Sequence, residues 1–366
     1  MTKTSGPGGL AIADIDADGR LDILVAADDA ILWYGTGKGD VRDKWVQKVL
    51  VEKLPGVGRT EITSMRRDKR WEIAAARGFK GRDELACAYQ LVPNETASAL
   101  PWRAIEVGRL RGWPARLGWL RKENGNLLLL AVGVREYAQR NDKQTSGWLD
   151  AYHQDAPKNI WKKESLFDHF PETFDLETVH HFAGDLARFG TQDGYIWVFM
   201  HERPYASRIL DALDEGHVNT SAGQIAGGDT PGGSFIATIE PPWGEQLVIY
   251  SQCLKPGKED LFHRRIAANT LSQGSSLVCA DLLGDGVSWV IVGSRDKTAE
   301  GPRKGGIRGW HPVDGKLDKW EEVLIDKSLF PCDELIAADL DGNGTAELIA
   351  RDADSGEVYI YSTRGN

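Results

Sequence analysis

A chain of 366 residues, 41% hydrophobic and 27% charged, carries enough apolar side chain for a large packed core and too much for global disorder. No apolar run approaches the roughly 18 residues of a membrane-spanning helix, and the opening residues lack the apolar stretch of a signal peptide. A formal charge of −10 sets nucleic acid aside as the default partner.

The elements repeat, so they are best taken unit by unit along the chain. The first unit, about 9–55, reads LAIADIDADGRLDILVAADDAILWYG over residues 10–35. That is an apolar strand, an acidic glycine turn, a second strand, a short turn and a third strand. A fourth strand follows at WVQKVL, led by Trp45. The second unit (about 58–110) starts with EITSMRRDKRWEIAAAR and closes with WRAIEV from Trp102. The third (114–170) runs from RLGWLRKENGNLLLLAVGVR to WKKESL at Trp161. The fourth (178–222) is read from His180, with HHFAGDLARFG as its first strand and a second strand ending at Arg203. The fifth (223–270) opens with QIAGGDTPGGSFIATIE and closes with FHRRI at Phe262. The sixth (274–326) contains CADLLGDGVSWVIVGSRD and closes with WEEVLI at Trp320. The seventh (332–366) contains LIAADLDGNGTAELIARDADSGEVYIY and stops after three strands, with residues 1–9 a poor substitute for a fourth. A four-stranded unit cannot bury its own apolar face, and seven in succession close into a ring. The expected fold is all-β, one seven-bladed β-propeller over residues 1–366.

Two of the first turns alternate oxygen ligands around glycine. Asp14, Asp16, Asp18 and Asp22 fall on Asp339, Asp341, Asn343 and Glu347. Hard cations such as Ca²⁺ take such carboxylate-rich loops, although Asp and Asn also favour turns without any metal. The sixth unit keeps Asp281, Asp285 and Gly286 but has Leu283 and Trp289 at two ligand positions. An ion here would be structural. These turns resemble the FG-GAP/VCBS repeat loops of integrin-type propellers.

The opposite end of the units is where propellers usually hold ligands. The residues ending each second strand read Asp28, Arg77, Arg135, Arg203, Glu240, Arg295 and Arg351. Tyr137, His201, Tyr205 and Trp243 stand beside them, and inter-unit loops add Trp113, His180 and His181. Gathered guanidinium groups either pair with neighbouring carboxylates or form a funnel for an anion. In the second reading Arg77, Arg135, Tyr137, Arg203, Glu240, Trp243, Arg295 and Arg351 bind substrate, and His180 or His181, His201 and Tyr205 carry protons. Cys87, Cys253, Cys279 and Cys332 form no metal-binding or disulfide pattern.

The stretch from SFIATIEPPWGEQLVIYS to the end of the seventh unit is similar to the propeller of aldos-2-ulose dehydratase-like FG-GAP proteins. Where relatives carry histidines, this chain has Gly244 and Ser275. The resemblance implies a lyase or dehydratase acting by β-elimination on an acidic or keto sugar. It also implies structural calcium, a second divalent metal in the channel and an extracytoplasmic setting. A glycan-binding propeller and a protein-interaction propeller are the alternatives.

Overall fold

The structure is a computed structural model describing residues 8–27, 29–35, 40–55, 59–67, 70–78, 86–96, 99–111, 113–122, 125–134, 147–155, 160–179, 185–199, 205–208, 221–242, 244–252, 262–296, 305–313, 317–327 and 330–363. Among these residues there is no helix. The strands form seven antiparallel sheets, six of four strands and one of three, each with its strands side by side in chain order. This is a seven-bladed β-propeller. Two compact units divide the chain, Met1–Phe189 with Trp197–Ala206, and Gly190–Ile196 with Ser207–Asn366.

In the first unit, blade one is β1 (Leu10–Ala13), β2 (Asp22–Ala27), β3 (Ala30–Gly35) and β4 (Val46–Val51). Blade two is β5 (Arg59–Arg67), β6 (Arg70–Gly78), β7 (Cys87–Val92) and β8 (Arg103–Arg109). Blade three is β9 (Trp113–Arg121), β10 (Leu127–Val134), β11 (Gly147–Asp155) and β12 (Ile160–Phe170). Burial falls along each blade: β2 is buried throughout, whereas the first four residues of β4 are exposed. A second strand is covered on both faces, so it reads as an unbroken apolar run. On β6 the alternation is explicit. Ile73 and Ala75 pack with Leu24, Ala26 and Trp33 of blade one, while Ala74 and Ala76 pack with Trp119, Leu129 and Trp148 of blade three. Successive side chains thus face opposite neighbours, as the pleat requires.

Residues 8 and 9 do not extend the seventh sheet. Gly8 bridges Thr60 of β5, and the Gly9 N–H donates to the Thr60 carbonyl at 3.0 Å.

Blade four is β13 (Thr173–Val179), β14 (Leu186–Thr191), β15 (Gly194–Phe199) and β16 (Tyr205–Arg208). Its first strand therefore precedes His180. The turn before Gly194 (φ +97°) joins the second strand to the third, not the first to the second. The repeat pattern takes its start from the TQDG turn, and the alternating TFDLETV of β13 lies before that start, so the sequence pattern slides by one strand. Arg203 consequently follows β15, a third strand, and the second strand ends at Thr191.

The second unit holds blade five, β17 (Ile225–Thr230), β18 (Gly233–Glu240), β19 (Gln246–Gln252) and β20 (Phe262–Ala268). Blade six is β21 (Gly274–Ala280), β22 (Trp289–Ser294), β23 (Ile307–Pro312) and β24 (Trp320–Asp326). Blade seven is β25 (Cys332–Ala338), β26 (Glu347–Asp352) and β27 (Val358–Tyr361). The same alternation recurs on β22, where Val290 and Val292 pack with blade five and Ile291 with blade seven. The aromatic that leads a fourth strand also packs across: Trp320 meets Phe235 edge-on, with ring centroids 5.1 Å apart.

Within a blade, too, neighbouring strands can come so close that a glycine admits nothing larger. A Cβ on Gly147 would lie 2.4 Å from the Pro171 carbonyl oxygen and 2.6 Å from that of Phe170. Gly147→Ala should lower stability by about 1–3 kcal/mol through this backbone clash. Gly35→Ala, whose nearest foreign atom would be 3.4 Å away, should change it by no more than about 0.5 kcal/mol. Chemical denaturation of the two variants checks the contrast.

Candidate functional site

Three eight-residue turns join first to second strands in blades one, six and seven, and they share one frame. In each, the first aspartate accepts backbone N–H groups from the residues that follow. Asp14 takes those of Asp18 and Gly19, each at 3.1 Å. Asp281 takes those of Leu283, Gly284, Asp285 and Gly286 at 2.7–3.2 Å. Asp339 takes those of Gly342, Asn343 and Gly344 at 2.8–3.0 Å. The third and fifth residues after that aspartate have positive φ in all three turns: Ala17 and Gly19, Gly284 and Gly286, Gly342 and Gly344. Glycine suits both positions, and Ala17 is the exception. The fourth residue then caps the exit: Asp18, Asp285 and Asn343 accept the N–H of Arg20, Val287 and Thr345 at 2.9, 3.0 and 2.7 Å.

Blade six is the informative member. Its turn folds the same way with Leu283 and Trp289 where carboxylates would be needed, so the shape does not depend on carboxylates at those two positions. Burial works against ionisation of Asp281, yet its four backbone donors hold the carboxyl below the usual range.

The other two turns gather oxygen donors. Carboxylate oxygens of Asp14, Asp16 and Asp18 lie within 4.8 Å of one another, as do those of Asp339, Asp341 and Glu347. An oxygen-only set of this kind fits a hard cation such as Ca²⁺. The eighth residue behaves differently in the two. Asp22, 2% exposed, turns to the Ile15 N–H at 2.8 Å and stays outside the first cluster. Glu347 makes the matching bond to the Leu340 N–H at 2.9 Å and, one methylene longer, also joins Asp339 and Asp341. Asn343 contributes an oxygen bound to Thr345.

At the opposite ends of the second strands the polar groups are engaged internally. Glu240 is 1% exposed. Its Oε1 accepts the hydroxyls of Thr238 (2.9 Å) and Tyr250 (2.6 Å), and its Oε2 accepts Arg264 Nη2 at 2.6 Å and Nε at 3.3 Å. Burial, then Glu240, pushes the Tyr250 hydroxyl up from its ordinary value. Arg77 is buried, its Nη1 donating to the Leu54 carbonyl at 2.6 Å, and Arg351 is 1% exposed. Arg295 is half-buried beside Asp296, which accepts the Ser272 hydroxyl. Arg135, Tyr137, His180, His181, His201, Arg203 and Trp243, with the side chains of Trp113 and Tyr205, lie outside the described residues.

Sequence reasoning missed the ties between blades. Arg116 of β9 reaches Asp175 of β13 at 2.8 Å and Glu61 of β5 at 3.3 Å, linking the first strands of three consecutive blades. Arg111 binds the fully buried Asp150 of β11 through Nε at 3.0 Å and Nη2 at 2.5 Å, and also pairs with Asp168 of β12. In the second unit the turns themselves are stitched: Ser288 N–H donates to the Asp229 carbonyl at 2.8 Å and Ala346 N–H to that of Asp281 at 3.2 Å.

No family model and no curated protein matches the chain by sequence. By structure it is similar to the BP39L lectin from Burkholderia pseudomallei, with 13% identity over 100% of this chain and 98% of the lectin and a TM-score of 0.61. It is also similar to a protein of unknown function from Dyadobacter fermentans, with 12% identity over 98% of this chain and 94% of the other and a TM-score of 0.49. The lectin likeness shows a shared propeller fold.

Two outcomes follow from the buried groups. Arg264→Ala strands the Glu240 carboxylate and should cost about 3–5 kcal/mol in urea denaturation. Tyr250→Phe, which removes one of several donors, should cost about 1 kcal/mol. The second outcome concerns pH. Burial, only partly offset by the Ile15 N–H, pushes the Asp22 carboxyl up to about 7 from 3.8. The native state thus keeps a proton that the unfolded chain releases, so this group's stabilising share is full below about pH 4 and is lost as pH rises through about 7. Asp22→Asn keeps an oxygen for Ile15 and never ionises. Its stability relative to the parent should rise across that window, measured as paired melting curves in metal-free buffer.

Proposed function

We propose that the chain is a carbohydrate-binding β-propeller whose acidic turns in blades one and seven hold Ca²⁺ as a structural ion. The observation that carries the reading is the likeness, along the full length of both chains, to a propeller that is a lectin. Asp14, Asp16 and Asp18 would hold one ion and Asp339, Asp341 and Glu347 another. The FG-GAP/VCBS character of the chain rests on these same residues. Bound calcium would supply positive charge that offsets the gathered carboxylates and draws the neighbouring Asp22 toward its ionised form. Arg295, the half-buried member among the described arginines at these strand ends, is the group suited to a sugar carboxylate.

β-Elimination on an acidic or keto sugar is the catalytic extension of this reading. It would need His180, His181, His201 or Tyr205 as the proton carrier.

Glycan-array binding, run beside ultraviolet monitoring of unsaturated product over uronate polysaccharides and keto-sugars, tests the proposal. Retention of glycans without product is expected. Product formation would replace the binding reading with the lyase, and neither signal would overturn both. At a hundredfold excess over its Kd, Ca²⁺ should stabilise the fold by about 2.7 kcal/mol per site. Asp16→Ala with Asp341→Ala should abolish that increment. Identical denaturation midpoints in Ca²⁺ and in chelator would defeat the metal assignment.

A further inference from the structure

The seventh-blade turn contains Asn343 followed by Gly344, both exposed. An asparagine before glycine is the sequence most open to spontaneous deamidation, because no side chain shields the glycine amide. In that reaction the Gly344 amide nitrogen, having lost its proton, attacks Cγ of Asn343. The Cγ–Nδ2 bond breaks and ammonia leaves. Water then opens the resulting succinimide, at one carbonyl to give aspartate and at the other to give isoaspartate.

Both reacting groups are restrained here. The Gly344 N–H donates to Oδ2 of Asp339 at 2.9 Å, so the proton that must leave is held against a carboxylate. Negative charge beside an amide disfavours the amide anion. The Asn343 side chain is tied to Thr345, its Oδ1 accepting the Thr345 N–H at 2.7 Å and the Thr345 hydroxyl at 2.5 Å. The Asn343 N–H is itself held by Asp339 at 3.0 Å and Asp341 at 3.1 Å. We propose that Asn343 is a latent deamidation site, kept unreactive by the clasp of Asp339 on Gly344 and released when that clasp opens.

The aspartate product fits the turn without rebuilding it. Blade one already has Asp18 at this position, capping Arg20 at 2.9 Å, with its own N–H held by Asp14 at 3.1 Å. Conversion would give blade seven the three alternating carboxylates of blade one and add one negative charge to the exposed turn. Isoaspartate instead lengthens the main chain between residues 343 and 344 and would carry the Gly344 N–H off Asp339.

The experiment follows the deamidation of Asn343 by peptide mass spectrometry, with the purified chain aged in mildly alkaline buffer. The arms are the folded parent, the parent in guanidinium and Asp339→Ala. Asn343 should react several-fold faster in guanidinium than in the folded parent. Asp339→Ala should bring the folded rate toward the unfolded one. Equal rates in the folded and unfolded parent, or a folded Asp339→Ala with the parental rate, would overturn the proposal. If Asp339→Ala does not fold, hydrogen exchange at the Gly344 amide of the parent decides: protection supports the clasp, and exchange at the unprotected rate refutes it.

Discussion

A sheet that is apolar on both faces has no stable existence by itself, and every blade here depends on the contact with its neighbours. On β6, Ile73 and Ala75 look one way and Ala74 and Ala76 the other, and β22 divides its valines and Ile291 in the same manner. Each fully buried Val, Leu or Ile contributes about 1.5–3 kcal/mol. A buried ion pair is close to neutral against an apolar replacement. The apolar faces therefore drive association, while ties such as Arg116 to Glu61 and Asp175 fix how one first strand registers against the next.

The same division of labour explains the acidic turns. A donor set suited to metal and a fold suited to the turn are separable properties, because blade six has the second without the first. What the three turns have in common is an aspartate whose oxygens collect successive N–H groups and two positions of positive φ. The stitching between Ala346 and Asp281, and between Ser288 and Asp229, uses main-chain groups and so tolerates any side chain at the ligand positions. Ligand residues could therefore change from blade to blade without loss of the frame.

Much of this was legible in the sequence. The strand–turn–strand repeat, the aromatic leading the fourth strand of five blades and the three-stranded last blade all read from local pattern, since each depends on residues within one unit. Blade four was misread by one strand because its TQDG turn, which looks like a link from first to second strand, joins the second strand to the third. The ion-pair ties were not legible at all. Arg116 finds partners 55 and 59 residues away, and Arg111 finds its partners 39 and 57 residues away, so no local spacing announces them. Of the arginines read at second-strand ends, Arg77 and Arg351 lie there and Arg295 just beyond, whereas Arg203 follows a third strand. Whether such a guanidinium faces a ligand or its own fold depends on what the neighbouring blade lays over it.

That last distinction bears on where specificity can reside. A position repeated in every blade is repeated in its packing too, and at Glu240, Arg77 and Arg351 the packing has enclosed the side chain. Discrimination among ligands asks for surfaces that differ from blade to blade, and in a propeller those are the connections rather than the strand ends. The links from second to third strand are very unequal: residues 28–29 in blade one, against 79–86, 135–146 and 295–306 in blades two, three and six. Arg295 begins one of the long links, whereas Arg77, Glu240 and Arg351 belong to strands. The candidates read from one list of equivalent positions thus separate into two physical classes. The strand-borne set is enclosed by its own fold, and the link-borne position is the one through which a ligand could be told from its analogues.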